Sequence, residues 1–356
     1  MKKYNEGLVI GKFYPPHLGH HYLINSASEQ SEHLTVLVMG TLFDTISVLN
    51  RVRMIKAVHH SANITVEPVI DHVYDDYDSK AIWKAHQTLM ENKMAVSPDA
   101  VFTSENYGDE LAGYFNAEHV CVDVKRQHVP ISATAIRKDL YGQWRYLDPT
   151  VRNNFRMKVV VMGGESTGTT TLSQALTKHY RNRGESFATT AYVPEYGREY
   201  AEKRIADEGS RDLSWGVEDF WKIAEGQHKL YMKSFNESKS PLIISDTDGL
   251  ATEAFGPYYG VPSGEIAESD YGYLSAMDPG DIYLITDHEN MPLTDDGSRL
   301  ENIDDRNKST KNFINVCNKY EVPYALISGN REERLEVAIK IIDRIMELKS
   351  FMRPPV

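Results

Sequence analysis

Short apolar runs alternate with amphipathic stretches along the chain. Residues 7–11 (GLVIG), 33–40 (HLTVLVMG), 63–70 (NITVEPVI), 100–105 (AVFTSE) and 119–124 (HVCVDV) predict strands, and 20–30, 51–60 and 79–94 predict the helices between them. Apolar runs this short, alternating with helical patterns, imply βαβ units and a parallel sheet. Residues 131–155 read as a helix, an aromatic turn and a connector, after which the pattern restarts. Further strands are predicted at 158–163 (KVVVMG), 188–196, 241–248, 281–286 and 322–328. The tail, 332–348, predicts a helix with Leu335, Ile339, Ile342 and Met346 on one face, packed on its own sheet. The fold class is α/β with two domains: a Rossmann-like sheet over 1–150 and a second parallel sheet over 157–356, joined near 148–157. Two polar stretches, 256–273 and 291–310, are long enough to be lids.

Composition narrows the partners. The net charge of −12 repels nucleic acid, so phosphate chemistry belongs in pockets and no nucleic-acid partner is expected. Two cysteines, Cys121 and Cys317, form no disulfide framework or zinc pattern and read as buried reduced thiols. No stretch has the length of a signal peptide's apolar core or a membrane span. The expectation is a cytoplasmic protein without a membrane partner; a homo-oligomer is left open.

The first candidate site is GKFYPPHLGH (11–20), directly after the first strand, where ligands of open parallel sheets bind. His17 and His20 stand three apart at a helix mouth, Gly19 allows close approach to the backbone, and Lys12 adds positive charge. The set suits a triphosphate better than a metal, since no carboxylate stands among these residues. ISATAIR (131–137) offers a second anion cradle through Ser132, Thr134 and Arg137. Taken singly, the histidines read equally as capping or surface residues, and Ser132 as a plain N-cap.

Together these segments resemble the signature pair of the nucleotidylyltransferase superfamily, and specifically nicotinamide mononucleotide (NMN) adenylyltransferases. The resemblance extends to FTSENYGDELA (102–112), to Asp123 and Arg126 in CVDVKR, and to Trp83, placed where such enzymes stack the nicotinamide ring. Trp83 alone reads equally as a core tryptophan. The resemblance implies that the NMN phosphate attacks the α-phosphorus of ATP. Lys12, His17, His20 and Arg137 would hold phosphates, Gly11 and Phe13 would border the nucleotide, and Mg²⁺ would sit on the departing pyrophosphate.

The second candidate site is GGESTGTTTLS (163–173), which follows an apolar run and opens a helix. Gly163 and Gly168 have the spacing of a P-loop, G-x-x-x-x-G-K-[ST], but Thr169 stands where the lysine belongs. The amides of Gly164, Glu165, Ser166, Thr167, Gly168, Thr169 and Thr170 can still wrap a phosphate chain, with Thr171 beside them and Thr170 reaching Mg²⁺. Asp246 and Asp248 end an apolar strand in a Walker-B-like position, where an N-cap is the competing reading for Asp246. VPEYGREY contributes Glu195, Tyr196 and Arg198, and Arg299 and Arg306 lie in the second lid candidate.

GGESTG, EYGREY, SDTDGLATEAF and the DG.R segment resemble the ribosylnicotinamide kinase domain of bifunctional NadR-like proteins, and both halves stand in that family's order. The resemblance implies a P-loop kinase-like second domain, with Glu195 or Asp246 positioning or deprotonating the riboside 5′-hydroxyl; Glu195 is favoured as base and Asp246, with Thr170, for Mg²⁺. ATP is then co-substrate, and NMN, nicotinamide riboside and NAD are the other small-molecule partners. Some family members carry an N-terminal helix-turn-helix domain; with a strand by residue 7, none is expected here, nor is repressor function. A second reading keeps the adenylyltransferase and makes the second half a non-catalytic nucleotide sensor, because Thr169 lacks the charge that bridges the β- and γ-phosphates.

Overall fold

The computed structural model describes residues 2–73, 79–105, 108–210, 213–267, 278–287 and 303–354; of Lys80 and residues 303–307 only the backbone is described. The chain divides into two compact units, Met1–Phe155 with Ser350–Val356, and Arg156–Lys349. The last residues thus group with the first unit, where the sequence reading carried the second domain to residue 356. The reason is packing: Met352 is buried with Tyr14, Trp144 and Phe155, and the Arg353 amide donates to Thr45 Oγ1.

The first unit runs β1 (Tyr4–Gly11), α1 (Leu18–Gln30), β2 (Ser31–Gly40), α2 (Val48–Lys56), β3 (Ile64–Ile70), α3 (Lys80–Glu91), β4 (Ala100–Thr103), α4 (Gly108–Phe115), β5 (Glu118–Cys121), α5 (Ala133–Lys138) and α6 (Pro149–Arg152). Its sheet has the order β3-β2-β1-β4-β5 with every pairing parallel. Successive strand residues feed opposite faces: Val9, Val36 and Phe102 join one core cluster, while Leu8, Leu37 and Val101 join another. A sheet covered on both faces explains why its strands read as continuous apolar runs. Strand order reverses between β1 and β4, so the β1–α1 loop opens at the switch point, where a crevice forms. Helix α2 starts earlier than 51–60 predicts because Ser47 caps it, accepting from the Asn50 amide.

The second unit runs β6 (Met157–Gly163), α7 (Thr169–Asn182), β7 (Ala191–Val193), α8 (Tyr196–Glu208), α9 (Val217–Glu237), β8 (Leu242–Asp246), α10 (Gly249–Phe255), α11 (Ser263–Ala267), β9 (Ile282–Thr286), α12 (Ile303–Lys319), β10 (Tyr324–Ile327) and α13 (Arg331–Ser350). Its parallel sheet has the order β10-β9-β6-β8-β7, with β6 central and buried along its whole length. Strand β7 is much shorter than 188–196 predicts. Thr190 spends its amide and hydroxyl on Phe187 O, and Pro194 has no N–H to continue the ladder.

Three further expectations are corrected. Residues 256–267 form a 3₁₀ turn and α11, and Val261 and Ile266 pack on Phe220, so this part is core and not a lid; residues 268–277 lie outside the described residues. The buried face of α13 is Arg334, Ala338, Ile342 and Met346, with an arginine where Leu335 was expected. Cys317 is buried as expected, but Cys121 is exposed at the end of the edge strand β5.

Candidate functional site

In the first unit the β1–α1 loop turns at Phe13, which takes a left-handed φ of 46°. His17 then caps α1: its Nδ1 accepts from the amides of Gly19 (3.1 Å) and His20 (3.3 Å). That lone pair fixes the tautomer, leaving the proton of the neutral ring on Nε2. The rings of His17 and His20 stack 3.7 Å apart, and Phe13 meets His20 edge-on at 4.9 Å. A Cβ on Gly19 would stand 3.1 Å from the His17 ring. Burial pushes His17 down to about 3, helped by His21 and Arg126. Burial likewise drives His20 well below its ordinary value, with His17, His21 and Arg126 adding to it, and among the described residues its buried Nδ1 has no hydrogen-bond partner. Burial thus favours the neutral form of both imidazoles.

A cavity of about 130 Å³ lies against these rings. Its wall joins His17, Gly19 and His20 to Asp123 and Arg126 after β5, and to Ser132 and Thr134 at the start of α5. Segments more than a hundred residues apart thus meet at one crevice, by way of the parallel sheet. Ser132 is the N-cap of α5 as well, accepting from the Ala135 amide at 3.2 Å. Asp123 and Arg126 both take left-handed φ values. The Asp123 carboxylate accepts from the amides of Gln127, His128 and Val129 and so shapes the turn that presents Arg126; Arg126 stands 3.7 Å from Glu105.

Other expected residues are placed differently. Arg137 does not line the cavity: it donates to Tyr14 O (2.7 Å) and Thr134 Oγ1 (2.9 Å), tying the second motif to the first. Lys12, Gly11 and Phe13 border the loop but not the cavity, and a Cβ on Gly11 would meet the Phe13 ring at 3.2 Å. Trp83 takes the core position, buried and stacked on Tyr114 at 5.3 Å. Arg51, which the sequence reading missed, is fully buried and paired with Asp44. It donates to the carbonyls of Lys12, Met39 and Ile46, bracing the loop from below. An arginine among Val48, Val52 and Ile55 was the available signal.

In the second unit β6 runs into a loop with two left-handed residues, Ser166 (φ 58°) and Gly168 (φ 88°). Gly168 caps α7 without a side chain, so the helix-start amides are left to face an anion. A Cβ on Gly163 would fall 2.3 Å from Thr286 Oγ1 and 2.5 Å from Thr286 O. Thr167 Oγ1 donates to Gly164 O (2.6 Å) and pairs with Thr286 Oγ1 (2.8 Å), and Glu165 accepts from Tyr259 OH at 2.7 Å. Thr169 and Thr170 open α7, whereas Thr171 points to solvent.

Asp246, at the end of β8, is buried. Its Oδ2 faces Tyr192 OH at 3.2 Å, and among the described residues its Oδ1 has no hydrogen-bond partner. Burial raises its pKa against the opposing pull of Thr170, Tyr192, Arg198 and Thr169. A buried, orphaned carboxylate oxygen beside threonine hydroxyls is a donor set that fits Mg²⁺, which takes few protein oxygens and completes its shell with water and phosphate. The capping role, the competing reading for Asp246, falls instead on Asp248. Asp248 caps α10 through the Leu250 and Ala251 amides and accepts from Tyr283 OH, so its carboxylate is structural. Glu195 opens α8 without making a capping bond and stands 3.7 Å from Arg198. Tyr196 packs against Gly226 and donates its amide to Gln227 Oε1. Arg299 lies outside the described residues, and of Arg306 only the helical backbone is described. Tyr192, Thr286 and Arg334 are contributors the sequence reading missed.

The family described as cytidylyltransferase-like matches residues 8–139, and the AAA domain family matches residues 158–334. The trifunctional NAD biosynthesis/regulator protein NadR of Escherichia coli (strain K12) is 29% identical over 265 residues, 70% of this chain and 62% of that protein. NadR of Salmonella typhimurium (strain LT2) is 27% identical over 266 residues, with the same coverage. The chain thus spans less than two thirds of the curated relatives it matches. Two solved structures share the fold, each with a TM-score of 0.66. NadR in complex with NR is 21% identical, covering 96% of either chain. NadR in complex with NAD and AMP-PNP is 20% identical, covering 98% of this chain and 97% of that one. The chain is thus similar to NadR over 70% of its length, with the cytidylyltransferase-like family matching its first part and the AAA domain family its second.

Proposed function

We propose that this protein is a bifunctional NAD salvage enzyme: the first unit transfers AMP from ATP to NMN, and the second phosphorylates nicotinamide riboside to NMN. The observation that carries the first activity is the cavity where His17 and His20 face Arg126, Ser132 and Thr134. In adenylyl transfer an NMN phosphate oxygen attacks the α-phosphorus of ATP, the bond to the bridging oxygen breaks and pyrophosphate leaves. No side chain need act as nucleophile or base. The chain aligns the reactants and donates hydrogen bonds to oxygens that gain charge. His17 Nε2–H is such a donor, Arg126 supplies positive charge, and the Ser132–Thr134 turn offers amides and hydroxyls.

In the second unit the loop amides 164–170 would cradle the phosphates of ATP. Asp246 and Thr170 would hold Mg²⁺, which would shield the phosphate charge. The riboside 5′-oxygen attacks the γ-phosphorus, ADP leaves, and Glu195 accepts the hydroxyl proton. The ligands of the two solved relatives, NR in one and NAD with AMP-PNP in the other, support this reading.

Thr169 favours a second reading in which the AAA half senses nucleotide without transferring phosphate. A product assay with Mg·ATP, run in parallel on nicotinamide riboside and on NMN, separates the two. NAD from both substrates supports the bifunctional enzyme; NAD from NMN alone supports the sensor; NAD from neither overturns both.

A further inference from the structure

We propose that Arg334 is a positioning residue for the second unit's phosphate site, holding the loop's amides outward in place of the order that a lysine-bound phosphate would impose. The inference rests on the reading that this loop takes the phosphates of ATP. Arg334 lies on the buried face of α13, 3% exposed. Its Nη1 donates to Thr167 O (2.8 Å), its Nη2 to Asp287 O (2.9 Å) and its Nε to Gly329 O (2.6 Å). One guanidinium therefore joins the loop after β6 to the ends of β9 and β10. The planar fork makes this possible, because its donors diverge in fixed directions.

The consequence follows from peptide geometry. In a trans peptide the C=O and the next N–H point in opposite directions. Drawing Thr167 O toward Arg334 therefore turns the Gly168 N–H to the opposite side. Thr167 Oγ1, bonded to Gly164 O, does the same for the Glu165 N–H. Gly168 at φ 88° has little intrinsic resistance to a peptide flip, and Arg334 restrains that peptide directly through Thr167 O. With Thr169 in the lysine position, oriented amides carry more of the anion binding than in a lysine-bearing loop.

The test compares the full chain with Arg334→Lys, which keeps the charge but cannot span three carbonyls, and with Arg334→Ala. Both should raise the KM for ATP in riboside phosphorylation about tenfold or more, the loss of a charge-assisted hydrogen bond, with a smaller effect on kcat. NMN adenylylation should be unchanged. Millimolar guanidinium should restore part of the Arg334→Ala loss, which a general folding defect would not allow. Amide hydrogen exchange over 164–168 should quicken in both variants. Wild-type KM and wild-type exchange in Arg334→Lys would overturn the proposal, and that variant decides alone where Arg334→Ala fails to fold. A wild-type chain that phosphorylates no riboside would count against the kinase reading, while the exchange measurement still decides the role of Arg334.

Discussion

His17 carries two roles that one pair of substitutions separates. Its Nδ1 caps α1 through two amides, and on the proposed reading its Nε2–H donates to a ligand. His17→Ala removes both. The lost cap costs about 1 to 2 kcal/mol, which in a unit of this size lowers the melting temperature by about 2–4 °C per kcal/mol. His17→Asn replaces Nδ1 with an amide oxygen, the best kind of capping acceptor, and leaves stability within about 0.5 kcal/mol of wild type. It supplies no donor where Nε2–H stood. Removing one donor to a charge-gaining oxygen costs about 2.7–4 kcal/mol of transition-state stabilisation. NAD formation from NMN should therefore fall by roughly 10²- to 10³-fold in both variants, while only His17→Ala melts early. The assays are calorimetry and a coupled NAD assay at saturating substrate. If His17→Asn retains kcat within about threefold of wild type, His17 is only a cap and the donor assignment is refuted. If His17→Ala and His17→Asn melt together at the wild-type temperature, the capping argument is refuted.

Asp246→Asn keeps the volume and the Tyr192 contact but removes a buried charge. Riboside phosphorylation should fall about 10²-fold or more while adenylyl transfer persists. Because burial raises the Asp246 pKa, its ionisation opposes folding as pH rises, so Asp246→Asn should be as stable as wild type or more so near neutrality; a large loss of stability would show that the charge is compensated. Thr169→Lys should raise the turnover of riboside phosphorylation, since it adds the missing cation at the first turn of α7; unchanged turnover would mean that another cation already fills that place. His17 and His21 are pushed down to about 3 and about 4, from 6.5. The unfolded chain therefore takes up protons first, and stability of the first unit falls as pH drops below about 6.5. His17→Asn should reduce that loss, measured as the change in urea midpoint between about pH 7 and pH 5; an equal change in both proteins would refute it.

Much of the architecture is legible without coordinates because it is local. Runs such as KVVVMG and HLTVLVMG declare strands, and a glycine loop between strand and helix declares a phosphate-binding turn with Thr169 in the lysine position. Cap chemistry is local too: Ser132 reads as an N-cap beside its anion-cradle reading, and it caps α5. Other local signals misled. In SDTD the spacing cannot tell which aspartate caps α10; the fold gives that task to Asp248 and leaves Asp246 Oδ1 orphaned in the site. An amphipathic stripe counts apolar residues, so it named Leu335 and passed over Arg334 one position earlier.

The sequence by itself determined two parallel α/β units, the motifs at the carboxyl ends of their first strands, and the chemistry those residue types allow. Tertiary structure alone decided that residues 11–20 and 131–137 share one cavity, that burial disfavours the charged forms of His17 and His20 there, and that Arg51, Arg137 and Arg334 each donate to backbone carbonyls. The division has a physical cause. Periodicity and turn chemistry act over a few neighbouring residues and are written in the order of the chain. Desolvation, and the choice of a partner for each buried donor, depend on what the fold brings within about 3 Å, and no local pattern encodes that.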